Sequence, residues 1–296
     1  MYQEKLLLMA EKIAKRVKKE LPNITISVKE MEKNNLSLVG LEFRKEGYSV
    51  APIVYLPDNI CELEDMYHYV VEQYEVYENY YEEAEKETKI FFKENTKEDI
   101  LSKVSARIVH EQKWSKAVVG RNIANLRMYY VVNSELGDKS NAVINITPGM
   151  AEHFGITEEE LYEASKSNLD VDVDSLMDIC KKSVAHPELL EESADMPPMI
   201  VISNKTHEYG AVAALGYKVG LRELSGLFNE DLFVIPSSVH ECIILPYIDD
   251  VQTRKGLYQM LWSVNAELEK FEPESLLSNT LYKYERESGT ILELIY

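Results

Sequence analysis

Leu6, Met9, Ile13, Val17 and Leu21 recur at steps of three and four, while Lys12, Lys15, Arg16, Lys18 and Lys19 crowd the C-terminal half of the same segment. This spacing predicts an amphipathic helix whose late cations suit its dipole and which Pro22 stops. Three runs rich in β-branched and apolar residues follow, ITISVKEM, LSLVGLEF and YSVAPIVYL, separated by Lys33-Asn34-Asn35 and Lys45-Glu46-Gly47. The separators read as hairpin turns, so a three-stranded antiparallel meander is expected. Asn59 and Glu62 then form a capping box for a long helix to about Glu87, with Leu63, Tyr67, Val70, Tyr74, Tyr77 and Tyr81 on one face.

From residue 90 the elements shorten. Thr96 and Asp99 cap a helix through Val104, ARIVHEQ is either a strand or its continuation, and LRMYYVV and NAVINI form a hairpin around Glu135–Asp138. Thr147-Pro148 opens a short helix closed by Gly155, and Thr157 with Glu160 opens TEEELYEASKS. The acidic stretch from Asn168 to Pro198 is the most linker-like, with LMDICKKS as a possible helix inside it. PMIVIS, LFVIP and CIILPY are apolar on both faces, which implies strands inside a covered sheet. Helices over 220–228 and 249–267 would cover that sheet, the second capped by Asp249 with Gln252, and LYKYE with TILELIY closes the chain as a hairpin. The expected class is α+β: an N-terminal helix, a three-stranded antiparallel meander and a long helix over 1–90, followed by a mixed α/β body with buried strands over 91–296, with a sub-boundary near 185–197.

Composition narrows the function classes. Acidic side chains number 51 and basic ones 32, a formal charge of −19, which opposes direct nucleic-acid binding because phosphate affinity comes from Lys and Arg. Cys61, Cys180 and Cys242 are odd in number and far apart, so neither a disulfide framework nor a thiolate zinc site is indicated. The longest apolar run near the start, Leu6 to Ala10, is too short for a signal-peptide core or a membrane span. These features together give the expectation of a cytoplasmic protein without a membrane partner.

The densest polar cluster is Ser237-Ser238-Val239-His240-Glu241, a turn between two strands that read as fully buried. In extended geometry Ser238 and His240 share one face, and a hydroxyl beside an imidazole is the minimum for an activated nucleophile. The competing reading is a hairpin whose hydroxyls and imidazole satisfy backbone groups, which the absence of a G-x-S-x-G elbow favours. A second cluster, Ser203 to His207, follows MIVIS. If that strand neighbours LFVIP in a parallel sense, Asn204, Lys205 and His207 meet Ser237, Ser238, His240 and Glu241 at one edge, and a small-ligand pocket results. Loops after strands are polar in any case.

No metal is expected, since neither His240-Glu241 nor His110-Glu111 has the second His four residues on. No cofactor is expected either, because both glycine-rich phosphate patterns are missing. The Tyr/Glu helix is the most unusual composition. Tyr67, Tyr74, Tyr77 and Tyr81 are spaced to face a core or a partner, while Glu72, Glu75, Glu78, Glu82, Glu83 and Glu85 spread over the other faces.

The strings LSLVGLEFRKEGYSVAPIVYL, ITEEELYEA, ISNKTHEYGA, LFVIPSSVHECIILP and VNAELEKFEPESLLSNTLYKYERESG resemble an uncharacterised family of clostridial gut-bacterial proteins known only as a domain of unknown function. The resemblance spans most of the chain and implies a bacterial cytoplasmic protein. It carries no activity and no catalytic residue. The leading expectation is therefore a non-enzymatic protein-binding or interaction protein with the Tyr67/Tyr74/Tyr77/Tyr81 stripe as its surface. Its competitors are a hydrolase or small-ligand enzyme using Ser238 and His240, and an acidic mimic of nucleic acid.

Overall fold

A computed structural model of the chain describes residues 2–33, 36–48, 50–110, 118–136, 140–183 and 197–295. The backbone divides into two units, Met1–Thr96 with Glu135–Ser140, and Lys97–Ser134 with Asn141–Tyr296.

Unit 1 is built from α1 (Tyr2–Glu20), the meander β1 (Ile24–Lys33), β2 (Leu36–Lys45) and β3 (Ile53–Tyr55), and α2 (Leu63–Glu94). β1 and β2 pair antiparallel from Ile24↔Lys45 to Lys33↔Leu36, and β3 pairs β2 from Gly40↔Tyr55 to Glu42↔Ile53. The helix–meander–helix expectation holds. Alternation puts Val39, Leu41 and Phe43 on one buried face, where they meet Ile13 and Val17 of α1 and Met66, Val70 and Tyr74 of α2. Tyr74 stacks on Phe43 with ring centroids 4.4 Å apart, and burial pushes its hydroxyl up to about 12. Tyr81 is equally enclosed: its hydroxyl donates to Phe43 O (2.7 Å) and accepts from the Lys45 N–H (3.2 Å).

Two details of α2 differ from expectation. Glu62 occupies its N-cap position without a side-chain cap bond, so the Asn59/Glu62 box does not form, and the first-turn acids Glu64 and Asp65 serve the helix dipole instead. The helix also runs on to Glu94, because nothing in that stretch breaks it and Phe91 continues its buried face. The assumed turn at Asn34-Asn35 lies outside the described residues.

Unit 2 holds two antiparallel sheets. The first comprises β4 (Val104–His110), β5 (Gly120–Ile123), β6 (Leu126–Leu136) and β7 (Ser140–Asn145), with β6 between β4 and β5 and also paired with β7. ARIVH is thus a strand, not the end of α3 (Lys97–Lys103). α4 (Pro148–Phe154) starts at a Thr147 cap and ends where Gly155 turns left-handed, at φ 63°. α5 (Glu158–Ser167) has the expected capping box of Thr157 and Glu160.

The second sheet has six strands, β8 (Val171–Ser175), β9 (Ile200–Asn204), β10 (Leu232–Pro236), β11 (Cys242–Pro246), β12 (Leu281–Glu285) and β13 (Thr290–Leu294), in the order β13-β12-β10-β11-β9-β8. β10 is buried at all five positions. One side of the sheet is covered by α9 (Val251–Phe271), whose Leu261 packs with Phe233, Ile235, Leu245 and Leu281. α7 (Ala211–Leu215), fully buried, packs against β9, β10 and β11, and α8 (Leu221–Phe228) follows it.

Three expectations change here. β9 does not neighbour β10: both pair antiparallel with β11, which lies between them, so they run in the same direction one strand apart. The linker-like stretch opens with β8 and α6 (Leu176–Ser183), because Val171 and Val173 alternate with Asp172 and Asp174 and an edge strand tolerates solvated carboxylates. Residues 184–196 of that stretch lie outside the described ones. Asp250, one residue later than expected, caps α9 by accepting from the Thr253 N–H at 2.6 Å.

Candidate functional site

Because β9 and β10 run in the same direction, their C-terminal ends reach the same edge of the sheet, where β11 begins. The Ser203–His207 loop and the Pro236–Glu241 turn therefore come together despite the intervening strand. Ser203 Oγ donates to His240 O at 2.8 Å. Gly210 is wedged into the same corner: a Cβ there would stand 2.4 Å from Ser203 Oγ, 2.5 Å from Asn204 N and 2.6 Å from His240 O.

Each polar side chain in the turn has a partner. His240 Nδ1 accepts from the Tyr209 N–H at 3.1 Å, which leaves the ring proton on Nε2, where it faces Ser275 Oγ at 3.1 Å. Ser238 Oγ accepts from the His240 backbone N–H at 3.0 Å, a local turn bond, so the Ser238 hydroxyl meets the backbone of His240 and not its ring. Ser237 Oγ donates to Glu241 Oε1 at 3.0 Å.

The other predicted residues sit at the margin. Asn204 serves its own loop, accepting from the Glu208 N–H (3.1 Å) and donating to Glu208 O (2.7 Å). Lys205 pairs with Asp170 at 2.8 Å, which raises the ammonium above its ordinary range. His207 stands 3.7 Å from Asp172. Among the described residues, no three His, Cys, Asp or Glu gather into a metal-holding group.

Sequence reasoning did not name Tyr209, Ser275 or Arg107 for this corner. The Arg107 guanidinium lies over the Tyr209 ring at 3.7 Å, and that ring is 5.6 Å from the His240 imidazole. His207 and Tyr209 both have positive φ, 53° and 56°, a conformation that costs about 1 kcal/mol or more at each non-glycine residue. The Tyr-Gly pair directly after the polar run was the available signal for Tyr209. Ser275, on the turn after α9, offered none.

The family whose description matches this sequence, DUF5688, a family of unknown function, covers residues 6–286 and so every segment that builds this corner. The chain belongs to DUF5688. No curated protein and no solved structure matches it. The strings that predicted membership in an uncharacterised family include both halves of the corner, ISNKTHEYGA and LFVIPSSVHECIILP.

Two further surfaces of the DUF5688 chain bear on function. In unit 1 the tyrosine stripe splits. Tyr67, Tyr74 and Tyr81 are buried in that unit's own core, whereas Tyr77 stays 39% exposed and is joined on the helix surface by Val76 (48%) and Tyr80 (58%). The core took the positions at heptad-like spacing, and the residues beside them carry the exposed apolar area. In unit 2, α9 and β13 border a groove of about 830 Å³, with Trp262 65% and Ile295 88% exposed on its walls. No helix among the described residues is long and apolar enough to cross a membrane.

Proposed function

We propose that this DUF5688 chain works by binding a protein partner and not by catalysis, through the α2 patch of Val76, Tyr77 and Tyr80. The observation that carries this reading is three large apolar side chains exposed side by side on one helix, an arrangement that a partner would cover. Glu72, Glu75, Glu78, Glu82 and Glu83 surround them in sequence, so the complementary partner presents an apolar contact with a basic rim. The net charge of −19 supports a protein partner over nucleic acid itself. Supporting the non-catalytic side, His240 Nδ1 accepts from the Tyr209 N–H, so Nε2 carries the ring proton and is no base toward Ser275, and the Ser238 hydroxyl meets the backbone of His240 and not its ring.

The test is affinity capture from the native host with the parent chain and with a Tyr77→Ser/Tyr80→Ser variant. The expected result is a specific partner lost in the variant at unchanged melting temperature. An unchanged partner set would overturn the assignment of the patch. A hydrolytic activity of the parent that Ser238→Ala abolishes would establish the competing hydrolase reading.

A further inference from the structure

We infer that the groove between α9 and β13 in unit 2 is a binding site for a small amphipathic monoanion, an apolar chain or aryl body ending in one carboxylate or sulfonate. Its volume of about 830 Å³ suits a molecule of that size. Trp262, Tyr258, Leu294 and Ile295 supply the apolar wall, and Trp262 and Ile295 keep 65% and 88% of their surface exposed.

The sign of the ligand follows from the donors. Lys255, Gln259 and Trp262 lie along one face of α9, at intervals of four and three residues, and all three line the groove. Among the described residues, Lys255 has no carboxylate within ion-pair distance, and neither Gln259 nor Trp262 donates a side-chain hydrogen bond. Asn279 also lines the groove. Its Oδ1 accepts from the buried Asn265 at 2.7 Å, which fixes the amide and leaves its Nδ2 as the donor available to a ligand. Four donors, one of them a cation, face a single carboxylate, Glu293 on the β13 wall. An acceptor head group answers the donors, and Glu293 disfavours a second negative charge on it. Lys255 and Trp262 are two helical turns apart, about 10 Å, so a head held at Lys255 places an apolar body of that length across Trp262.

The site does not depend on the α2 patch. The experiment titrates the full chain with 8-anilinonaphthalene-1-sulfonate and with N-phenyl-1-naphthylamine, the same aryl body without the anion, and then displaces the bound dye with dodecanoate or dodecyltrimethylammonium. One saturable site per chain is expected, with the sulfonate bound about tenfold tighter than the neutral dye, the size of one charge-assisted hydrogen bond. Dodecanoate should displace it and the ammonium should not. Lys255→Gln should erase the preference and Lys255→Arg keep it, while Trp262→Ala, or Ile295→Ser as a second variant, weakens both dyes. Replacing Tyr77 and Tyr80 should leave the titration unchanged, which separates this site from the proposed partner surface. Equal affinity for the two dyes, sulfonate binding indifferent to Trp262 and Ile295, or no saturable binding would overturn the inference.

Discussion

The polar corner at the ends of β9 and β10 and the groove along α9 sit in the same unit but invert the usual signs of function. The corner gathers Ser, His, Asn and Lys, the residue types that carry chemistry, yet Ser203 and both His240 ring nitrogens hold separate segments together, while Ser237, Ser238 and Asn204 brace their own turn and loop. The groove has two aromatic side chains, two amides and a lysine, and Lys255, Gln259 and Trp262 make no side-chain hydrogen bond among the described residues. What marks a site for a ligand is unused hydrogen-bonding capacity beside exposed apolar area, not the density of reactive residue types. Such a cluster is better understood as a fastening, in which each bond removed leaves a half-buried partner without one.

Substitutions can break this comparison. The largest effect belongs to Gly210→Ala. Two of the three atoms its Cβ would strike are backbone, so the corner must open, and a loss of about 3 kcal/mol or failure of unit 2 to fold is expected in urea unfolding. His240→Ala comes next, because it strands both the Tyr209 N–H and Ser275. About 2 kcal/mol should be lost, and His240→Asn, whose Oδ1 can take over from Nδ1, should recover part of it. Ser238→Ala removes one turn bond and should cost about 1 kcal/mol. If either His240 or Ser238 can be truncated without loss of stability, the fastening account fails.

Acid supplies a smaller, reversible probe elsewhere in unit 2. Hydrogen bonds from Lys97 and Thr157 hold Glu160 down from its ordinary 4.5 to about 2. For Glu158 burial works the other way, but bonds from Arg121 and Tyr130 outweigh it and keep that carboxyl low as well. A carboxyl lowered in the folded state stabilises above its unfolded value and loses that contribution as the pH falls through the folded one. Melting temperature should therefore drop between pH 4.5 and about 2, and Lys97→Met should flatten part of that drop. The smallest effect is expected where the side chain is largest. Trp262→Ala should change stability by no more than about 0.5 kcal/mol, since Trp262 is 65% exposed, and a large loss would mean that the residue is structural after all.

Much of the fold was legible because long periodic segments leave little choice. The α1 stripe, the alternation of Val39, Leu41 and Phe43, and the doubly apolar LFVIP each admit one element. β8 was not recognised because its alternation runs over five residues with acids on one face, a pattern that composition alone assigns to a linker. The site was legible at the level of which segments meet: the two polar runs do share an edge. How their groups are used was not, because strand order decides it. A parallel β9–β10 pair would have aimed Asn204 and Lys205 at His240, whereas β11 between them leaves the approach to Tyr209 and Gly210. The tyrosine stripe illustrates the same limit. Periodicity separates the faces of α2 but does not say that Tyr74 stacks on Phe43 while Tyr80 is left bare.

The seat of Gly210 also has a consequence for descent. Positions 203, 210, 240 and 275 lie in three separate stretches of sequence, yet the side chains at 240 and 275 meet each other and the empty space at 210 is bounded by Ser203 and by the backbone of 204 and 240. Drift at one of them should be answered at another: a chain that exchanges His240 for an apolar residue has no use for a hydroxyl at 275, and one that carries a side chain at 210 must both lose the serine at 203 and move the backbone of 204 and 240 apart. Members of the family should accordingly inherit these four positions as a block, and recombination between 210 and 240 should yield hybrids that fold only when both parents share the same block.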